Sequence, residues 1–150
     1  MRRQIVKGLA MLALLTLTLA ASVTTANGQK PRTLKANVPF EFVVGDKTLP
    51  AGNYAVSAIG AGNDTLKIRG ANHSALRLTN AIRTRENKSS ALVFHRIGNT
   101  YFLSQVLAGD DYGWQLLKSR QERAIERELS RIAAVRTSKY EEVVVLATPR

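Results

Sequence analysis

The 150-residue chain contains no cysteine. That excludes disulfides, thiolate metal sites and a lipid-modified cysteine at a processing point. Small exported domains of eukaryotes are usually disulfide-rich, so a cysteine-free exported chain points to bacteria. Histidine is nearly as scarce, with two residues, His73 and His95, and no H-E-x-x-H spacing, which makes a poor zinc case. Asp110-Asp111 lacks the D-x-D-x-D-G ladder of a calcium loop. No Gly-x-Ser-x-Gly elbow occurs. Gly60 and Gly62 lack the third glycine and the βαβ context of a dinucleotide fingerprint. Glu41 has no partner carboxylate that the sequence can assign to it. The expectation is a protein that is not an enzyme, with no catalytic residues, no metal and no cofactor.

Acids are also short. Lys and Arg number 22 against 11 Asp and Glu, a formal net charge of +11. Such a balance suits an anionic partner. Nucleic acid is disfavoured. Bases stack on aromatic platforms set in a basic surface, whereas Phe40, Phe42, Tyr54, Phe94, Tyr101 and Phe102 fall in alternating patterns at positions expected to face a core. Export would also separate the chain from cytoplasmic nucleic acid.

One long apolar run is present, Gly8 to Ala21, broken only by Thr16 and Thr18. Arg2, Arg3 and Lys7 precede it, and small or polar residues from Ser22 to Gly28 follow. This is the layout of a secretory signal peptide. The run is shorter than the roughly 20 apolar residues that span a bilayer. Residues 1–28 are therefore expected to be a signal peptide cleaved near Ala26 or Gly28, leaving no transmembrane segment and a periplasmic or secreted bacterial protein. Removing Arg2, Arg3 and Lys7 leaves 22 − 3 = 19 bases against 11 acids, or +8. Residues 29–150 then form a single β-rich domain, large enough to bury roughly 65% of its unfolded surface. Three Asn-x-Ser/Thr triplets (Asn63, Asn72, Asn87) would matter only in a eukaryotic secretory pathway.

Period-two alternation dominates what remains. Ala36, Val38, Phe40, Phe42 and Val44 share one parity, and Lys35, Asn37, Pro39 and Glu41 the other, which reads as a strand with one wet face. Pro39 cannot donate to a ladder, so this strand is expected at an edge or with a bulge. Gly45-Asp46-Lys47 reads as a turn. Leu49-Pro50-Ala51-Gly52 reads as a second, in which Pro50 presets the bend and Gly52 supplies a positive φ. Tyr54, Val56 and Ala58 resume the alternation. Leu66 and Ile68, then Leu76 and Leu78, continue it between turn clusters at 60–64 and 70–73. Residues 83–90 form a charged loop. ALVFHRI, the turn Gly98-Asn99 and YFLSQVLA make a long hairpin, with His95 on its wetter side. Trp114 to Leu117 is a short strand, and a final strand covers about 142–147. Many short strands between turn signals predict a mainly β fold. It is an antiparallel β-sandwich or small β-barrel of about 7–8 strands with one C-terminal amphipathic helix.

That helix is expected over about 119–135. Ser119 and Glu122 make a capping box, and RQERAIERELSRIAA has strong helix formers with no Gly or Pro. Ile125, Leu129 and Ile132 fall on one face. Arg120, Arg123, Arg127 and Arg131 fall opposite, within an arc of about 80°. Like charges four residues apart repel by a few tenths of a kcal/mol per pair. An oxyanion partner would relieve this, because guanidinium binds such groups bidentately. A solvated face screened by Glu126 and Glu128 is the alternative.

VPFEFVVGDKTLPAGNYAV, LVFHRIGNTYFLSQV and KSRQERAIE together resemble an uncharacterised family of small exported bacterial proteins. It has a VPFxFxVG…LPAGxY opening, an FHRxG…YFLS hairpin and an Arg/Glu-rich helix. The resemblance runs from about Ala36 to Glu128. It implies export and a structural role for the LPAGxY corner (Pro50 and Gly52), and it brings no catalytic residues. Three functions stay open. The first is a non-enzymatic envelope or secreted protein that holds anionic surface polymers or lipid headgroups through Arg120, Arg123, Arg127 and Arg131. The second is a carrier of a small hydrophobic ligand in a barrel cavity. The third is a hydrolase built on His95 and an acid of the 110–111 loop.

Overall fold

The computed structural model describes residues 32–84, 89–109, 111–132 and 140–150, all within one folded unit, Pro31–Arg150. The expected signal peptide and its cleavage point, the middle of the charged loop, Asp110 and the last turn expected of the helix lie outside the described residues.

Ten strands and one helix follow in chain order. They are β1 (Thr33–Val38), β2 (Phe42–Val44), β3 (Lys47–Leu49), β4 (Gly52–Ile59), β5 (Thr65–Arg69), β6 (Ser74–Arg83), β7 (Ser90–Ile97), β8 (Thr100–Gly109), β9 (Tyr112–Leu116), α1 (Arg120–Ile132) and β10 (Glu141–Pro149). Eight of the strands form a ring in the order β8-β7-β10-β1-β4-β5-β6-β9, and β9 pairs back onto β8 to close it. Every neighbouring pair in the ring is antiparallel. The fold is thus a small β-barrel with a C-terminal helix, and closure leaves the ring without a free edge.

The alternation seen in the sequence sorts side chains between the inside and outside of this ring. Leu34, Ala36 and Val38 of β1, Tyr54, Val56 and Ala58 of β4, and Leu66 and Ile68 of β5 all enter one buried cluster. So do Leu92 and Phe94 of β7, Leu103, Val106 and Ala108 of β8, and Trp114 and Leu116 of β9. Phe42 sits edge-on to Phe94, with ring centroids 5.3 Å apart at 79°, and edge-on to Tyr54 at 5.0 Å and 83°. Each fully buried Phe or Leu contributes about 1.5–3 kcal/mol through removal of apolar surface from water. The loop at 60–64 closes over one end of the barrel. Trp114 Nε1 donates to Asn63 O at 2.9 Å, and the Thr79 amide and hydroxyl both donate to Asp64 O, at 2.7 and 3.0 Å.

The opening stretch is neither an edge strand nor one strand bulged at Pro39, the two forms its alternation predicts, but two strands. β1 lies between β4 and β10, in the interior of the sheet order. Pro39 falls in a break after Val38, and the chain restarts as β2, outside the ring. There Val43 lies opposite Phe102 of β8 in a parallel pairing, and β3 folds back on β2. A residue without an amide proton cannot continue a central ladder, so Pro39 ends β1 instead of marking an edge. The parity survives the break: Phe42 and Val44 still enter the barrel cluster. Phe40 stacks on Tyr101 with centroids 4.0 Å apart.

The LPAG corner carries the positive φ expected at Gly52. Its φ of 158° is one that L side chains rarely adopt, and the residue opens β4 opposite Val38. A second positive φ is that of Gly45, 63° in the β2–β3 turn. What fixes the corner is Tyr54, whose hydroxyl donates to Pro50 O at 2.6 Å. Its ring packs so closely on Gly70 that a Cβ there would lie 2.8 Å from Tyr54 Cε1.

Two outcomes check this account. Tyr54→Phe should lower stability by about 1 kcal/mol at neutral pH in chemical denaturation, the usual loss for one hydrogen bond. Burial raises the Tyr54 pKa above its ordinary value, so the folded state keeps the phenol proton after the unfolded chain has lost it. The advantage over Tyr54→Phe should be complete below about pH 10 and should shrink as pH rises beyond that. Separately, Gly113→Ala would place a Cβ 2.8 Å from Val106 O and 3.0 Å from Leu107 Cδ2, at the seam that closes the ring. A loss of at least about 2 kcal/mol is expected there.

Candidate functional site

The site residues that the sequence singles out converge on α1. Ser119 is buried and caps the helix, its Oγ accepting from the Glu122 amide at 2.9 Å. The helix then runs along the outside of the barrel. Its mooring point exists because β2 leaves the ring. Val43, on the opposite parity to Phe42 and Val44, joins Phe102 and Ile97 in a small apolar pad on which Ile125 and Tyr140 pack.

Beside the pad lies a polar tie that sequence reasoning misplaces. His95 is on the outward parity of β7, as expected, yet it is 5% exposed. Its Nδ1 lies 3.4 Å from Glu122 Oε1, and Glu122 is 4% exposed. With the carboxylate ionised, His95 Nδ1–H is the donor. Tyr140 stacks on the imidazole, centroids 3.9 Å apart at 16°. The Lys118 ammonium lies 5.8 Å from the centre of the Tyr140 ring and donates to Glu126 Oε1 at 2.6 Å. That hydrogen bond is the main reason the Lys118 pKa is raised. The acid beside His95 is Glu122 and not Asp111; Asp110 lies outside the described residues. Asp111 lies beyond Gly109, at the far end of the β7–β8 hairpin from the His95–Phe102 pairing. Sequence offers one signal for the tie: the acid of the capping box sits on the buried arc of the helix, about 60° from Ile125 by helical geometry, and needs a partner there.

The apolar stripe expected along α1 is shorter in effect than its pattern. Ile125 is half-buried on the pad, whereas Leu129 is 37% exposed, and the Ile132 side chain lies outside the described residues. The helix is held by its first two turns. Leu129 is not among the residues packed on the pad of Val43, Ile97 and Phe102.

Arg120, Arg123, Arg127 and Arg131 are all exposed. Arg127 Nε donates to Arg123 O at 3.2 Å, and Arg131 Nη1 lies 3.7 Å from Glu128 Oε2. Glu126 is taken by Lys118. Among the described residues, Arg120 and Arg123 have no carboxylate partner. Arg123, Glu126, Arg127 and Ser130 line a shallow recess on this face. Such a row can hold an extended series of oxyanions by charge-assisted hydrogen bonds. The other singled-out residues, Pro50 and Gly52, stand at the corner leading into β4 and are structural. Among the described residues, no cluster of His, Asp and Glu is arranged to hold a metal. Among the described residues, no helix is long and apolar enough to cross a membrane. All nine aromatic residues are buried or half-buried, so none offers an open stacking platform.

No known family model matches the chain, and neither a curated protein nor a solved structure matches it.

The mooring can be measured. His95→Ala and Glu122→Ala should each loosen α1 while the barrel stays folded. Amide-exchange protection should fall in the helix but not at Phe94 or Val106. A double-mutant cycle on the pair should give a coupling of about 0.5 kcal/mol or more.

Proposed function

We propose that this protein is an exported, non-enzymatic barrel that binds anionic surface polymers or lipid headgroups of a bacterial envelope. Arg120, Arg123, Arg127 and Arg131 are its contact row. The observation that carries the reading is the placement of α1. It is moored on one side by Ser119, Glu122 and Ile125, and it presents four exposed guanidinium groups on the other. The carboxylates nearest the row are partly engaged elsewhere, Glu122 with His95 and Glu126 with Lys118. The signal-like start of the chain supports the location, and the resemblance to small exported bacterial proteins agrees with it.

The two alternatives have less support. A hydrophobic carrier needs interior volume, and the inward side chains of the ring pack against each other in one cluster. A hydrolase needs a histidine that substrate can reach, and His95 is sandwiched between the barrel wall, Glu122 and Tyr140.

Heparin and lipopolysaccharide retention, titrated with salt, tests the reading. Wild-type protein should be held at low ionic strength and released as salt screens the contacts. Reversing the row (Arg120→Glu, Arg123→Glu, Arg127→Glu, Arg131→Glu) should release the protein at markedly lower salt without changing the melting temperature. Unchanged retention in that variant would refute the assignment to α1.

A further inference from the structure

The barrel wall opposite in character to the helix carries a second basic feature that no sequence motif marks. β1, β4 and β5 are neighbours in the ring and contain no Asp or Glu. Register places their outward residues in rows. Lys35 of β1 lies opposite Ala55 of β4, and Ala55 lies opposite Arg69 of β5. The adjacent row puts Asn37 directly opposite Asn53. These residues, with Ala71 of the following turn, line an open recess of about 640 Å³.

Each feature of the recess favours a particular ligand chemistry. The backbones of Lys35 and Arg69 are two strand spacings apart, about 10 Å. The small Ala55 between them leaves their long side chains free to close on one anionic group. Lys35 and Arg69 are exposed, and among the described residues neither has a carboxylate partner. Asn37 and Asn53 are exposed as well, and their paired carboxamides offer donors and acceptors together, the complement of vicinal hydroxyls. The methyl groups of Ala55 and Ala71 give an apolar floor that suits the C–H face of a pyranose ring. The volume falls in the usual range for small-molecule sites.

We propose that this recess is a binding site for an anionic saccharide unit. Lys35 and Arg69 hold its carboxylate or sulfate, and Asn37 and Asn53 hold its hydroxyls. The site goes beyond the arginine row on α1. It shares that row's preference for negative charge but draws on none of its residues, so either can fail without the other.

Titration calorimetry and amide chemical-shift mapping on the intact protein test it, with trigalacturonate and a heparin tetrasaccharide as acidic probes, and maltotriose and pyrophosphate as controls. At least one acidic saccharide should bind and perturb Lys35, Asn37, Asn53 and Arg69. Lys35→Glu with Arg69→Glu should weaken that binding at least tenfold with the melting temperature unchanged. Asn37→Ala with Asn53→Ala should weaken it severalfold and leave any pyrophosphate binding intact. Arg123→Glu with Arg127→Glu should leave the wall shifts in place. The proposal is overturned if neither acidic saccharide binds, or if maltotriose or pyrophosphate binds as tightly. It is equally overturned if the shifts map to α1 alone, or if the wall variants bind like wild type.

Discussion

Closure of the ring through β9 is the constraint on which the other features rest. β9 is five residues long, yet it pairs with β6 on one side and β8 on the other. Without it the sheet would have two long edges, at β6 and β8, each an open row of amides and carbonyls. At the seam Gly113 stands between Ile82 and Leu107, where a methyl group would collide with the Val106 carbonyl. Trp114 next to it turns inward and ties the 60–64 loop to the barrel end. A single short strand thus fixes both the lateral closure and one end of the core.

The break at Pro39 has consequences well beyond its neighbourhood. Because β1 stops there, β2 is free to leave the ring and pair with β8. Because it pairs with β8, Val43 stands beside Phe102 and an apolar pad forms on the outer wall. The helix rests on that pad, and His95 beside it is buried beneath Glu122 of the helix and Tyr140. A proline that the alternation pattern treats as a local nuisance is, in the folded protein, the origin of the external docking surface.

Charge is distributed with the same economy. Four of the described acids are paired with basic side chains: Glu122 with His95, Glu126 with Lys118, Glu128 with Arg131 and Glu141 with Arg96. Among the described residues, several cations have no such partner, notably Arg120 and Arg123 on α1 and Lys35 and Arg69 on the wall. Two separated basic surfaces on one small barrel suit an extended, repeating polyanion better than a single small ligand. One molecule of such a polymer could touch both surfaces, and modest affinities would then multiply.

The amino-acid pattern alone determined most of the strands, the helix and the facing of β1, β4 and β5, because period-two and period-3.6 burial are written in the order of polar and apolar side chains. It misled in β6, where Leu76 and Leu78 are exposed and Ala75 and Thr79 are buried. Hence the β class, the β7–β8 hairpin, the inward Phe42 and Phe94 and the outward arginines were all legible. Sandwich or barrel was not, since both need the same alternation and differ only in whether β9 meets β8. Nor was the Lys35–Ala55–Arg69 row, whose members are 20 and 14 residues apart and meet only through register. The partner of His95 was hidden for the same reason: Glu122 is 27 residues away, and the contact depends on where the helix comes to lie. Local spacing encodes which way a side chain points. Which side chains meet is a long-range property, settled when strand order and closure bring distant segments together.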